Sequence, residues 1–357
     1  MLIDVYGVAR QIRKLDEDAM EAARAAQDLL TKPKGSLGVL EDLSIHLAGI
    51  YRTPKPMIRK KVVFTMAGDH GVTHEGVSAY PSDVTSQMVL NFANGGAAIN
   101  VLARHAGAEV RIVDIGVASG MDWPPVIVRR NVARGTKNMV IGPAMSRDDA
   151  ERAVSTGIEL VYESIDAGAN AVAVGDMGIG NTSAASAITA AVTGRPVLTV
   201  TGRGTGVDDK MLEAKVRVIE RALKVNSPDP SDGLDVLSKV GGLEIAGLTG
   251  VILGAAARGV PVFLDGFVTG SAALAAHSIS QDSREYMIAS HVSVEPGHRF
   301  ALEHLGLTPI VDMRMRLGEG TGATIGFLIA EAACKILSEM ATFEGAGVSR
   351  SSKEREE

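Results

Sequence analysis

The chain has 357 residues, 46% hydrophobic and 22% charged, with a formal net charge of −6 and a single cysteine. These values fit a globular protein of one large domain or two smaller ones, and no Lys/Arg stripe with interleaved aromatics offers itself to nucleic acid. One cysteine makes no intrachain disulfide and the early charges of the N-terminus do not make a signal peptide, so the expected setting is a reducing, cytoplasmic one.

From the N-terminus, Ile12, Leu15, Ala19, Ala22 and Ala26 recur at helical spacing and predict one amphipathic helix from Val8 to Leu30. "TKPKGSLG" breaks it, and a second helix is expected from Glu41 to Tyr51. Near the other end "GATIGFLIAEAACKILSEMATF" predicts a long helix, followed by the polar "SRSSKEREE". The expected organisation is a small helical domain from both chain ends (1–58 and 325–350), a large α/β domain (59–324) and a polar tail (351–357).

The middle alternates short apolar runs with helical stretches such as Arg147 to Asp166. "KVVFTMAGDHG", "EVRIVDIGV", "NAVAVGDMGIG", "PVFLDGF" and "TPIVDMRMRLGEG" each run apolar into an acid and a glycine. Alternating strands and helices predict a parallel α/β sheet with helices on both faces, whose ligands lie beyond the carboxyl ends of the strands. Asp69, Asp176, Asp265 and Glu319 then share one rim. The apolar tract "IAGLTGVILGAAA" is too short to span a bilayer and is expected to be a buried helix.

Within "VGDMGIGNTSAASAI", a strand runs into a glycine loop (Gly178, Gly180) and a helix opened by Asn181, Thr182 and Ser183. Free N–H groups at a helix start suit a phosphate; the plainer alternative is a tight turn with an ordinary N-cap. The stretch has no P-loop lysine and no complete GxGxxG. "TGRGTGVDDKMLEAKV" supplies a second flexible loop (Gly202, Gly204, Thr205, Gly206), with Arg203 and Lys215 as cations for a phosphate or carboxylate, or else a solvated helix start. His70, His74 and Glu75 invite a metal, but the surrounding glycines leave no continuous helix to hold one, and a loop folded over substrate fits better. Gln87 and Met88 beyond it suit an aromatic-base pocket. Cys334, His291 and His298 read as structural. In "MRLGEGTGA", Glu319 between two glycines is either a turn residue or a working group.

Taken together, "AGDHGV", "GDMGIGNTS", "KVGGLEIAGLTGVILGAA", "VPVFLDGF" and "RLGEGTGA" resemble the nicotinate-nucleotide–dimethylbenzimidazole phosphoribosyltransferase family over almost the whole chain. The resemblance implies a homodimer with a Rossmann-like large domain and a small domain built from both termini. It implies Glu319 as general base, removing the benzimidazole N–H proton while the other ring nitrogen attacks C1′ of nicotinate mononucleotide. It places Ser78, Gln87, Met88 and Leu317 at the benzimidazole pocket, and Gly178 to Ser183 with Gly204 to Gly206 near the mononucleotide phosphate. Lys215 aligns with a lysine of the family's site. Asp176 stands where many members carry Glu, as a second acid with a reach shorter by about 1.5 Å. Neither metal nor other cofactor is implied. Two other readings stay open: a nucleotide glycosidase, with water as acceptor, and a non-catalytic nucleotide-binding sensor.

Overall fold

The computed structural model describes residues 2–349; the tail expected at 351–357 lies outside them. Six parallel strands form one sheet: β1 (Lys61–Gly68), β2 (Ala108–Gly116), β3 (Val128–Arg129), β4 (Ala171–Met177), β5 (Val262–Leu264) and β6 (Met287–Ala289). Their order is β3-β2-β1-β4-β5-β6. β1 pairs with β2 on one side and β4 on the other, so successive crossovers turn away from each other between β1 and β4. That reversal opens a crevice at the carboxyl edge of the sheet. β1 is buried along its whole length, as a strand covered on both faces must be. The helix Leu243–Ala257 is buried along nearly its whole length, with no polar face to keep it at the surface.

Four of the five predicted apolar runs are strands. The fifth, "TPIVDMRMRLGEG", is not: it passes Pro309, carries exposed Asp312, Arg314 and Arg316, and turns left-handed at Arg314 (φ 55°). It lies extended beside β6 and its exit, where Ile310 N–H donates to Ala289 O and Val292 N–H to Val311 O. β3 and β6, two and three residues long, have no clear sequence signal.

The predicted helix from Val8 to Leu30 is instead two, Val5–Ala9 and Glu17–Leu29. Asp16 accepts from Ala19 N–H at 2.9 Å, and this cap starts a new helix where the periodicity runs on. The chain divides into two compact units. The larger comprises residues up to Arg13 with Lys60–Gly326, so the first helix belongs to it and not to the smaller unit as 1–58 implied. The smaller comprises Lys14–Arg59 and the described residues from Phe327 to 349. In the smaller unit Ala23, Ala48 and Leu337 form a buried cluster, and Leu30 bridges to Thr342. The helix Thr321–Glu339 is long and apolar enough to cross a membrane, yet more than half of it is buried in the fold, as for a core helix.

Candidate active site

The crevice holds a cleft of about 430 Å³ within the larger unit. β4 supplies Asp176 and Met177, the loop after it Gly178 and Ile179, and the start of the next helix Asn181 and Thr182. Gly204 and Thr205 form another part of the wall, Met88 and Tyr80 another, Gly266 to Val268 with His291, Ser293 and Glu295 another, and Arg316 to Glu319 another.

Glu319 sits where β1 and β4 part. Its carbonyl accepts from the Thr65 hydroxyl on β1 (2.8 Å), and its N–H donates to the Asp176 carbonyl on β4 (3.2 Å). The backbone there is left-handed at Gly318, Glu319 and Gly320, with φ of 88°, 65° and 95°. A non-glycine residue held at positive φ costs energy that the surroundings must supply. The approach is close enough that a Cβ on Gly175 would stand 2.3 Å from the Glu319 carbonyl carbon. The side chain is only 4% exposed and accepts from Ile99 N–H at 3.2 Å. Burial, aided by the charge of Asp265, pushes its pKa up, and the Ile99 N–H opposes this.

Asp176 is buried beside it and accepts from Asn181 Nδ2 at 2.8 Å. Burial, with Asp265, Glu244 and Glu319 adding like charge, raises its pKa well above the usual carboxylate range, against the Asn181 hydrogen bond. Asp176 is thus disposed to hold a proton where Glu319 gives one up more readily.

The helix Asn181–Thr193 begins at the cleft with Gly180 at its N-cap and no capping side chain, leaving its dipole end for a ligand. Lys215 is 1% exposed; its Nζ donates to Thr182 Oγ1 (2.8 Å) and more weakly to Gly202 O (3.4 Å). Burial lowers its pKa to about 8, and Glu295 resists the fall. Glu295 also fixes the second glycine loop by accepting from Gly204 N–H at 2.9 Å.

The predicted site residues gather unevenly. Asp176, Gly178, Asn181, Thr182, Gly204, Thr205, Met88, Leu317 and Glu319 line the cleft. Ser78 reaches it through Thr205, hydroxyl to hydroxyl at 3.2 Å. Gly180 and Ser183 are buried behind the wall, while Gly206 is exposed. Gln87 is exposed on the helix Asp83–Ala93 and is not part of the lining. Arg203 turns back on its own loop, pairing with Asp209 and donating to Val207 O.

The trio His70, His74 and Glu75 does not converge. His70 is buried against Glu244 (2.7 Å), His74 is exposed, and Glu75 accepts from Asn138. His70 loses affinity for a proton through burial but regains more from Glu244 and Asp69, so its pKa rises. Among the described residues no group of three His, Cys, Asp or Glu is placed to hold a metal.

Sequence reasoning missed Tyr80, Phe267, Glu295, Arg316 and above all His291, which it read as structural and which lines the cleft beside Asp265. The one available signal was the run "LDGF", whose acid falls on the same rim. His298 accepts from Ser293 N–H at 2.9 Å, and burial takes its pKa down to about 3.

A family model described as "Phosphoribosyltransferase" matches residues 12–348. The nicotinate-nucleotide–dimethylbenzimidazole phosphoribosyltransferase of Chloroflexus aggregans is 58% identical, covering 95% of this chain and 96% of its own. The enzyme of the same name from Roseiflexus sp. RS-1 is 57% identical, covering 95% and 96%. The crystal structure of CobT from Thermus thermophilus superposes with a TM-score of 0.90 at 45% identity, covering 94% of this chain and 100% of that one. On matches of this extent, with the fold and the cleft described above, the chain belongs to the nicotinate-nucleotide–dimethylbenzimidazole phosphoribosyltransferase family.

Proposed function

We propose that the chain moves the 5-phosphoribosyl group of nicotinate mononucleotide to 5,6-dimethylbenzimidazole, giving α-ribazole 5′-phosphate and nicotinate, a step of cobalamin biosynthesis. Beyond family membership, one observation carries this reading. A buried carboxylate, Glu319, with its proton affinity raised, borders an apolar cleft that the N-terminus of a helix also lines.

The chemistry needs a base and no acid at the leaving group. Nicotinate is bonded to C1′ as an already cationic pyridinium and leaves with the bonding pair as a neutral pyridine ring, so its C–N bond breaks without protonation. One benzimidazole nitrogen attacks the opposite face of C1′, which inverts the centre. The proton on the other nitrogen passes to Glu319, and its raised pKa improves the match to that weak acid. Met88 and Leu317 flank the flat acceptor, with Ser78 behind Thr205 at its edge. The phosphate is assigned to Gly178–Ser183 and Gly204–Gly206, with Lys215 behind Thr182 and Arg203 at the loop's outer side. Asp176 serves as a neutral hydrogen-bond donor, a role its raised pKa supports. No cofactor enters the scheme. The working unit is assigned as a cytoplasmic homodimer by analogy with the family.

Purified protein incubated with nicotinate mononucleotide, with and without dimethylbenzimidazole, tests the reading. Nicotinate should be released only when the base is present. Release without it makes the protein a glycosidase, and binding without release makes it a sensor.

A further inference from the structure

Asp265, which follows β5, is fully buried and spends its carboxylate on the backbone next to Glu319. Oδ2 accepts from Gly320 N–H at 3.0 Å. Oδ1 accepts from Gly322 N–H at 2.6 Å and Ala323 N–H at 3.2 Å. These N–H groups open the helix Thr321–Glu339, so one side chain caps the helix and grips the residue following Glu319. His291 Nε2 lies 3.4 Å from Asp265 Oδ1, with its ring against the cleft.

We propose that Asp265 is the positioning residue for Glu319, holding it in its left-handed conformation and setting its charge, with His291 as the counter-charge. This rests on Glu319 being the base. The left-handed turn is unfavourable for glutamate, and the bonds to the Thr65 hydroxyl and the Asp176 carbonyl fix only its two ends to the strands. Asp265 fixes the following peptide as well. A free carboxylate can accept all three N–H groups, whereas an amide oxygen of the same shape offers fewer lone pairs and sets an NH₂ against a donor.

The charged groups around this unit are few. Asp176 from β4 and Asp265 bear on Glu319, and Glu244 bears on Asp176. His291 faces Asp265, with Asp312 and His298 beside it. Removing the charge of Asp265 therefore favours ionised Glu319. His291 offsets Asp265 when its ring is protonated, so replacing it leaves Asp265 less compensated and does the opposite.

The test is a set of kcat–pH profiles for the wild type, Asp265→Asn, His291→Gln and Glu319→Gln, with melting curves for each. Substrate titrations are common to all, so displacement of the acid limb is the readout. Asp265→Asn should lower kcat by about 10²-fold, as for a misplaced catalytic group, and move the acid limb to lower pH. KM for nicotinate mononucleotide should stay within about twofold. His291→Gln should move the limb to higher pH, and it decides the matter if Asp265→Asn does not fold. Glu319→Gln inactive with Asp265→Asn unchanged in kcat and limb overturns the positioning role alone. So does a fall in kcat with an unmoved limb, which a merely structural role would give, or a His291→Gln limb that stays or moves down. Glu319→Gln retaining turnover overturns the base assignment itself, and the positioning role with it.

Discussion

At the scale of single residues, the site sets two neighbouring carboxyl groups apart by environment. Asp176 carries the larger push toward the neutral form, because Glu244, Asp265 and Glu319 all add negative charge to its burial. Glu319 is raised less and keeps an N–H donor from Ile99. Glu319→Gln keeps size and hydrogen bonding but not basicity, so kcat should fall by about 10²–10⁴-fold with little change in donor binding. Steady-state kinetics with both substrates varied checks this. As the proposed base, Glu319 works only when ionised and its pKa is raised, so activity should decline as pH falls through a value above the ordinary carboxylate range. A pH–rate profile with its midpoint at the usual glutamate value would contradict it. Gly175→Ala tests the backbone instead. Its new Cβ meets main-chain atoms of Glu319 rather than a flexible side chain, so something rigid must shift. The cost should be about 1–3 kcal/mol of stability, measured by denaturant unfolding, together with lost turnover.

At the scale of elements, the phosphate reading rests on the helix Asn181–Thr193, whose N-terminus is uncapped by side chains. Nicotinate riboside, lacking the phosphate, should be a far poorer donor than the mononucleotide in the same assay. Lys215 stands behind that helix start. Its folded pKa is depressed, so its charge is present below about pH 8 and lost above it, well before that of an exposed lysine. KM for the mononucleotide should therefore rise as pH passes about 8, and KM measured across that range decides. The pair His70–Glu244 ties the end of β1 to the helix Leu243–Ala257 with both side chains out of water. Glu244→Ala takes away what raises the His70 pKa, so the imidazole turns neutral and loses its buried partner, and denaturant unfolding should show a loss of about 1–3 kcal/mol. The elements themselves were legible where period and punctuation agreed. Arg147–Asp166 and β4 fall where the sequence put them. The break at Asp16 was hidden because apolar spacing continued across it while the cap acted locally.

At the scale of the whole molecule, the strand order puts the parting of crossovers between β1 and β4, and Glu319 is bound to both strands at that point. The proposed homodimer should sediment at twice the chain mass, and a monomeric species retaining full turnover would remove it from the mechanism. The parallel α/β class, the buried apolar helix and the acid–glycine rim were legible in the chain alone, because they follow from local hydrophobic pattern and from what only glycine allows. Glu319 was marked there too, through a motif short enough to read in one stretch. Which side chains face the cleft was settled by tertiary packing instead. Gln87 and Met88 are adjacent in sequence, yet one is exposed and the other lines the wall, since a helix turns about 100° per residue. His291 meets Asp265, and Lys215 finds Thr182, across long stretches of intervening chain. Such pairings depend on how separate strands and loops close on one another, and no local pattern encodes that distance.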